Sequence, residues 1–150
     1  MTAFARRLVP YLSACGAALL LATGSVAAAT LSVSPTSITV AAPQQTGLLT
    51  LRAGGPDMTV GQIRVMAMDK RGDQEILSPT KDVIASPPAM RLQPDQEITV
   101  RLVRRTSRAI KGGRECYRVL VDQLPQKKPG SGTVGFVIRQ SIPLCFLSGT

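Results

Sequence analysis

Two cysteines and one ion pair near the C-terminus fall into a single antiparallel register, and that register requires a β-hairpin. Glu115–Asp122 reads as a strand that runs on to Leu124-Pro125. A loop follows at Gln126–Gly132, and then a long strand-like run from Thr133 to Phe146. Setting Cys116 opposite Cys145 also sets Asp122 opposite Arg139, an opposite-charge pair on the cysteine face. The same alignment puts Tyr117 opposite Leu144 and Val119 opposite Ile142 on the other face. One register satisfies all four pairs, so a Cys116–Cys145 disulfide is expected, with two free thiols as the alternative. Chain entropy makes such a bridge worth about 3–4 kcal/mol.

The last strand carries an unusually long apolar row at period two: Val134, Phe136, Ile138, then Ile142, Leu144 and Phe146. A small domain needs fewer inward residues on its final strand. The register divides the row. Ile142, Leu144 and Phe146 face the partner strand and belong to the core. Ile138 would face Gln123 and Phe136 would face Pro125, so Val134, Phe136 and Ile138 run beyond the partner. An apolar edge that projects past its own sheet invites association unless something covers it. The alternative is that all three pack into the domain's own core.

Shorter runs of the same kind precede the hairpin: Leu31–Val40 with a break at Pro35, Thr46–Arg52, Gln62–Asp69, Lys81–Ala85 and Gln96–Arg104. Gly54-Gly55-Pro56-Asp57, Lys70–Gly72, Pro87-Pro88, Pro94-Asp95 and Gly112-Gly113 separate them, each with a backbone reason to turn. Ten-residue helical periods are lacking. The predicted fold is all-β, an immunoglobulin-like seven-stranded antiparallel β-sandwich. Pro87-Pro88 is expected to fix a bend, with one bond available to the cis form. Met58, Met66, Met68 and Met90 are expected as core filler.

Residues 1–29 read as a signal peptide: Arg6-Arg7 begin it, Ala14–Leu21 is its apolar centre, and Val26-Ala27-Ala28-Ala29 offers small residues for cleavage. Residues 30–150 are then one domain, outside the cytoplasm, with no membrane insertion after cleavage. Removing Arg6 and Arg7 lowers the net charge from +9 to +7. Nucleic acid is not an expected partner, because export removes the opportunity and only Tyr117, Phe136 and Phe146 remain for stacking. The basic run Arg101, Arg104, Arg105, Arg108, Lys111 and Arg114 is expected to be solvated surface, with contact to an acidic partner as the alternative.

Catalysis is not expected. With no histidine in the chain, the usual general base, the histidine-activated nucleophiles and most zinc sites are missing. The nine carboxylates are scattered, and Asp69, Asp73 and Glu75 beside Lys70 and Arg71 look like a solvated hairpin tip. Neither glycine pair sits in a strand–loop–helix context that could cradle a phosphate. No catalytic residue, metal ligand or cofactor is assigned. Arg114 and Glu115 are expected to form a structural charge pair.

Several phrases resemble the N-terminal domain of periplasmic pilus-assembly chaperones, the PapD-like family. They are Leu31-Ser32-Val33-Ser34-Pro35-Thr36, Ser86–Pro94, Val100-Arg101-Leu102, Arg114-Glu115 with Tyr117–Pro125, and Ser141-Ile142-Pro143-Leu144. The resemblance covers about residues 31–147. It implies a periplasmic chaperone for pilus or fimbria assembly, with an incomplete immunoglobulin-like pilus subunit as client and an outer-membrane usher as a further partner. The implied mechanism is donation of the last strand, with Val134, Phe136 and Ile138 as the lent side chains.

The chain departs from the family pattern in two respects. The basic pair that anchors a subunit's C-terminal carboxylate falls at Ser37 and Pro143, neither of which can do that work, so Arg139 is the expected substitute. The family's usual second domain is also missing from the sequence. Other readings are a free-standing immunoglobulin-like structural or adhesin-type module and a truncated remnant of a two-domain chaperone.

Overall fold

Pro35 divides the first apolar run between two sheets. The computed structural model describes residues 30–125 and 138–149. The expected signal peptide, the loop Gln126–Gly132, and Val134 and Phe136 lie outside the described residues. Strand β1 (Thr30–Ser34) pairs antiparallel with β3 (Thr46–Gly54), whereas β2 (Ile38–Ala41), just past the proline, joins the last strand, β10 (Arg139–Leu147). Proline has no N–H to give a ladder, so a strand that meets one is free to change sheets there.

The remaining strands are β4 (Thr59–Arg71), β5 (Gln74–Pro79), β6 (Val83–Ser86), β7 (Ala89–Leu92), β8 (Glu97–Arg104) and β9 (Arg114–Leu124). One sheet has the order β1-β3-β8-β6; the other runs β2-β10-β9-β4-β5, with β7 also paired to β4. The immunoglobulin-like sandwich is therefore present, with ten strands among the described residues where seven runs were read. The extra ones are the half of the first run beyond Pro35, β5 and β7. Strand β5 is largely exposed and β7 is only four residues long, so neither carries a long apolar period. Nor is the sandwich wholly antiparallel. The crossing at Pro35 lays β2 parallel to β10.

The core lies between the sheets and follows strand alternation. Leu49 and Leu51 of β3 and Val100 and Leu102 of β8 face Ile63 and Val65 of β4, Val119 and Val121 of β9, and Ile142, Leu144 and Phe146 of β10. Each such buried side chain contributes roughly 1.5–3 kcal/mol. Tyr117 and Phe146 meet edge to face, with ring centroids 6.1 Å apart. Burial, with Glu115 adding to it, pushes the Tyr117 hydroxyl up to about 12. Gly61 admits β7 closely, because a Cβ there would lie 2.3 Å from Met90 Cε. Of the four methionines expected as filler, only Met90 is core; Met58, Met66 and Met68 are half-buried. The Ser86–Pro87 bond is cis at the expected bend.

Two charge readings are corrected. Arg114 and Glu115 are strand neighbours, so alternation sends them to opposite faces and they cannot pair. Glu115 instead accepts from Arg104 Nε at 2.8 Å. Arg104 is not solvated surface: it is buried, and its remaining nitrogens donate to the carbonyls of Thr106 and Arg108. Glu75, at the hairpin tip, stays exposed and takes a bidentate bond from Arg118 of β9 at 2.8 and 3.1 Å.

Candidate strand-lending edge

The hairpin register is the one expected from the sequence. Cys145 lies opposite Cys116, Arg139 opposite Asp122, Leu144 opposite Tyr117 and Ile142 opposite Val119. The two cysteines form a disulfide with Cα atoms 4.1 Å apart. Strand β9 flanks β10 along its whole length, but β2 pairs only with Leu144–Leu147. Among the described residues, nothing pairs with Arg139–Pro143 on the side away from β9.

The direction of each amide along that edge follows from one bond. Gln123 N donates to Ile138 O at 3.0 Å, so position 138 points its backbone polar groups at β9. Alternation then turns those of Arg139, Ser141 and Pro143 toward the open side. Pro143 costs no ladder bond there, which explains a proline inside a paired strand.

Side chains divide the same strand differently. Ile142, Leu144 and Phe146 are buried between the sheets. Gln140 interrupts the apolar row on that face, and its Nε2 donates to the Leu31 carbonyl of the opposite sheet at 2.8 Å. Beyond this polar stitch Ile138 is 50% exposed, while Leu124 at the end of β9 is 40% exposed on the other face. The core therefore ends at Gln140. Sequence reading did not single out Gln140; the break it makes in the period-two row was the available signal.

Asp122 anchors the base of the edge. It is buried, and it accepts from Arg139 Nε through Oδ1 and from Arg64 Nη2 through Oδ2 at 2.6 Å. The bond from Arg139 holds its carboxyl below the usual carboxylate range; burial opposes this and Arg64 reinforces it. Arg139 is held above its ordinary value by the same bond. Arg64 had no place in the sequence reading, because β4 carries no spacing that ties it to β9.

A pH effect follows. Because the folded-state value lies below the roughly 3.9 of an unfolded aspartate, the stabilisation is fully present above that pH. It is lost as pH falls through the folded-state value. Urea unfolding across a pH series should show that acid loss in the wild type and much less of it in Asp122→Asn. At neutral pH the substitution should cost about 1–2 kcal/mol, because both arginines are exposed enough to recover water.

The family's anchor positions are also placed. Continuing the β2–β10 register by one step sets Ser37 beside Pro143, so the two lie together but carry no cation. Arg118 is opposite Pro143 on β9 and is held by Glu75. Arg139 lies four residues back along the same strand, 58% exposed in its side chain, with its Nε given to Asp122.

The family model for the pili and flagellar-assembly chaperone, PapD N-terminal domain, matches residues 30–147. No curated protein matches the chain by sequence. Among solved structures, the chain is similar to one in the CsuC–CsuE chaperone–tip adhesion subunit pre-assembly complex of Acinetobacter baumannii archaic chaperone-usher Csu pili. That match has 25% identity and a TM-score of 0.68, and it covers 79% of this chain and 57% of the other. A chain of the Salmonella enterica SafA pilin–SafB chaperone complex matches at 20% identity and TM-score 0.66, covering 79% and 54%. The E. coli chaperone DraB matches at 20% and 0.63, covering 80% and 56%; these last two likenesses are of fold alone. The chain spans a little over half the length of the structures it matches.

Proposed function

For a chain that belongs to the pili and flagellar-assembly chaperone family through its PapD N-terminal domain, we propose a periplasmic chaperone that lends its last strand to an incomplete immunoglobulin-like pilus subunit. The observation that carries this reading is the open side of β10 at Arg139–Pro143, leading into the half-exposed Ile138. Strand addition needs two things from the lender. Backbone groups of Arg139, Ser141 and Pro143 are turned outward to form main-chain bonds. Apolar side chains at alternate positions, Val134, Phe136 and Ile138, then enter the subunit's groove.

In this reading residues 1–29 are a signal peptide and residues 30–150 the working domain. Arg139 meets the subunit's terminal carboxylate with the guanidinium nitrogens not given to Asp122. An outer-membrane usher receives the complex. No cofactor or metal takes part, and the strand is lent through hydrogen bonds and apolar contacts without a covalent step.

Co-expression with a pilus subunit lacking its own final strand tests the proposal. A stoichiometric complex on size exclusion is expected, with the subunit soluble only when the chaperone is present. Recovery of the chaperone alone, from cells in which the subunit aggregates, would favour a free-standing module instead.

A further inference from the structure

Arg114 opens β9 on the outer face, two residues before Cys116, and among the described residues its guanidinium donates only to sulfur. Nε lies 3.1 Å from Cys116 Sγ and Nη2 lies 3.1 Å from Cys145 Sγ. A disulfide sulfur is a weak acceptor, whereas a thiolate takes a charge-assisted bond from the same donor. The guanidinium therefore sits where it stabilises the reduced pair more than the oxidised one.

The surroundings carry the same sign. On this face Arg118 is two residues further along β9, Pro143 and Leu147 flank Cys145, and Thr39 of β2 lies opposite it. Arg108 and Lys111 share with Arg114 the lining of an open cavity of about 420 Å³, which Glu115 also lines. The nearby acids are committed elsewhere: Glu115 to Arg104 on the other face, and Glu75 to Arg118. Cys145 is buried and Cys116 is half-buried, so an incoming thiol meets Cys116 first.

We infer that the Cys116–Cys145 bridge is a thiol–disulfide exchange site for an external dithiol, with Arg114 receiving the leaving thiolate. One thiolate of the dithiol attacks Cys116 Sγ. The bond between the two sulfurs breaks, and its electron pair leaves on Cys145 Sγ, which forms as a thiolate against Arg114 Nη2. The second thiol of the dithiol then displaces Cys116, and two protons complete the reduced pair. Two electrons pass from the dithiol, which ends as a disulfide. The inference does not depend on strand donation, since it concerns the opposite end of the hairpin.

The purified oxidised protein tests it, with glutathione as the attacking thiol and mass spectrometry following mixed-disulfide formation. A cation beside a thiol lowers its pKa by about a unit or more, and a Brønsted coefficient near 0.5 converts one unit into roughly a threefold rate change. Arg114→Gln should therefore slow attack at least about threefold, and Arg114→Lys should restore most of the rate. A purely structural role for Arg114 predicts the opposite sign, because a loosened strand exposes the bridge and speeds attack. Lys111→Gln, in the same basic rim, should change the rate by less than about twofold. Rates that are equal or faster in Arg114→Gln, or a loss in Lys111→Gln as large as in Arg114→Gln, would overturn the assignment.

Discussion

The protein carrying Ile138→Asp is expected to remain folded and to lose subunit capture. Half of the Ile138 surface is open in the free domain, so a carboxylate there keeps its water, and the stability change should stay within about 0.5 kcal/mol. In a strand-lent complex the same position would be closed inside the client's groove. An unpaired carboxylate then loses several kcal/mol of hydration, which corresponds to at least about a hundredfold in affinity. Co-purification with the subunit measures capture, and a melting curve measures folding. Leu48→Asp makes the comparison sharp, since Leu48 is a similarly exposed apolar side chain on β3 of the other sheet, and the substitution should leave capture largely intact. Full complex yield with Ile138→Asp would remove the strand-lending reading.

The second large effect is expected at the bridge. Replacing Cys116 and Cys145 together by alanine removes a cross-link between residues 29 apart in sequence. Chain entropy puts the loss at about 3–4 kcal/mol, which for a domain of this size lowers the melting temperature by roughly 10 °C or more. The bridge joins a register that hydrogen bonds and the Asp122–Arg139 pair also specify, so the variant should still fold at low temperature. Thiol titration of the denatured, unreduced wild type should find no reactive pair. An unchanged melting temperature in the double variant would show that the hairpin alone supplies the constraint.

The hairpin was legible because its partners are close in sequence and its face alternation is strict. A slip of one residue would have put Tyr117 and Val119 on the face opposite to Ile142 and Leu144, so only one register survives. Strand β5 left no comparable mark, since one of its faces is exposed throughout and the other is only half-buried at Ile76 and Ser78. The charge assignments failed where they ignored that alternation, and Arg114 with Glu115 is the clearest case. Glu75 and Arg118 could not have been paired from sequence, because β5 reaches β9 only across β4.

Spacing and residue type by themselves determined the fold class, the Cys116–Cys145 bridge and the core positions of Ile142, Leu144 and Phe146. Those features rest on period-two burial and on pairs within one hairpin, which are local properties. Only the tertiary structure decided that β2 stops at Leu144 and, among the described residues, leaves Arg139–Pro143 open, that Gln140 closes the core against Leu31, and that Arg114 lies over the disulfide. Each depends on where strands distant in sequence end against one another, and strand ends are set by packing across the whole sandwich.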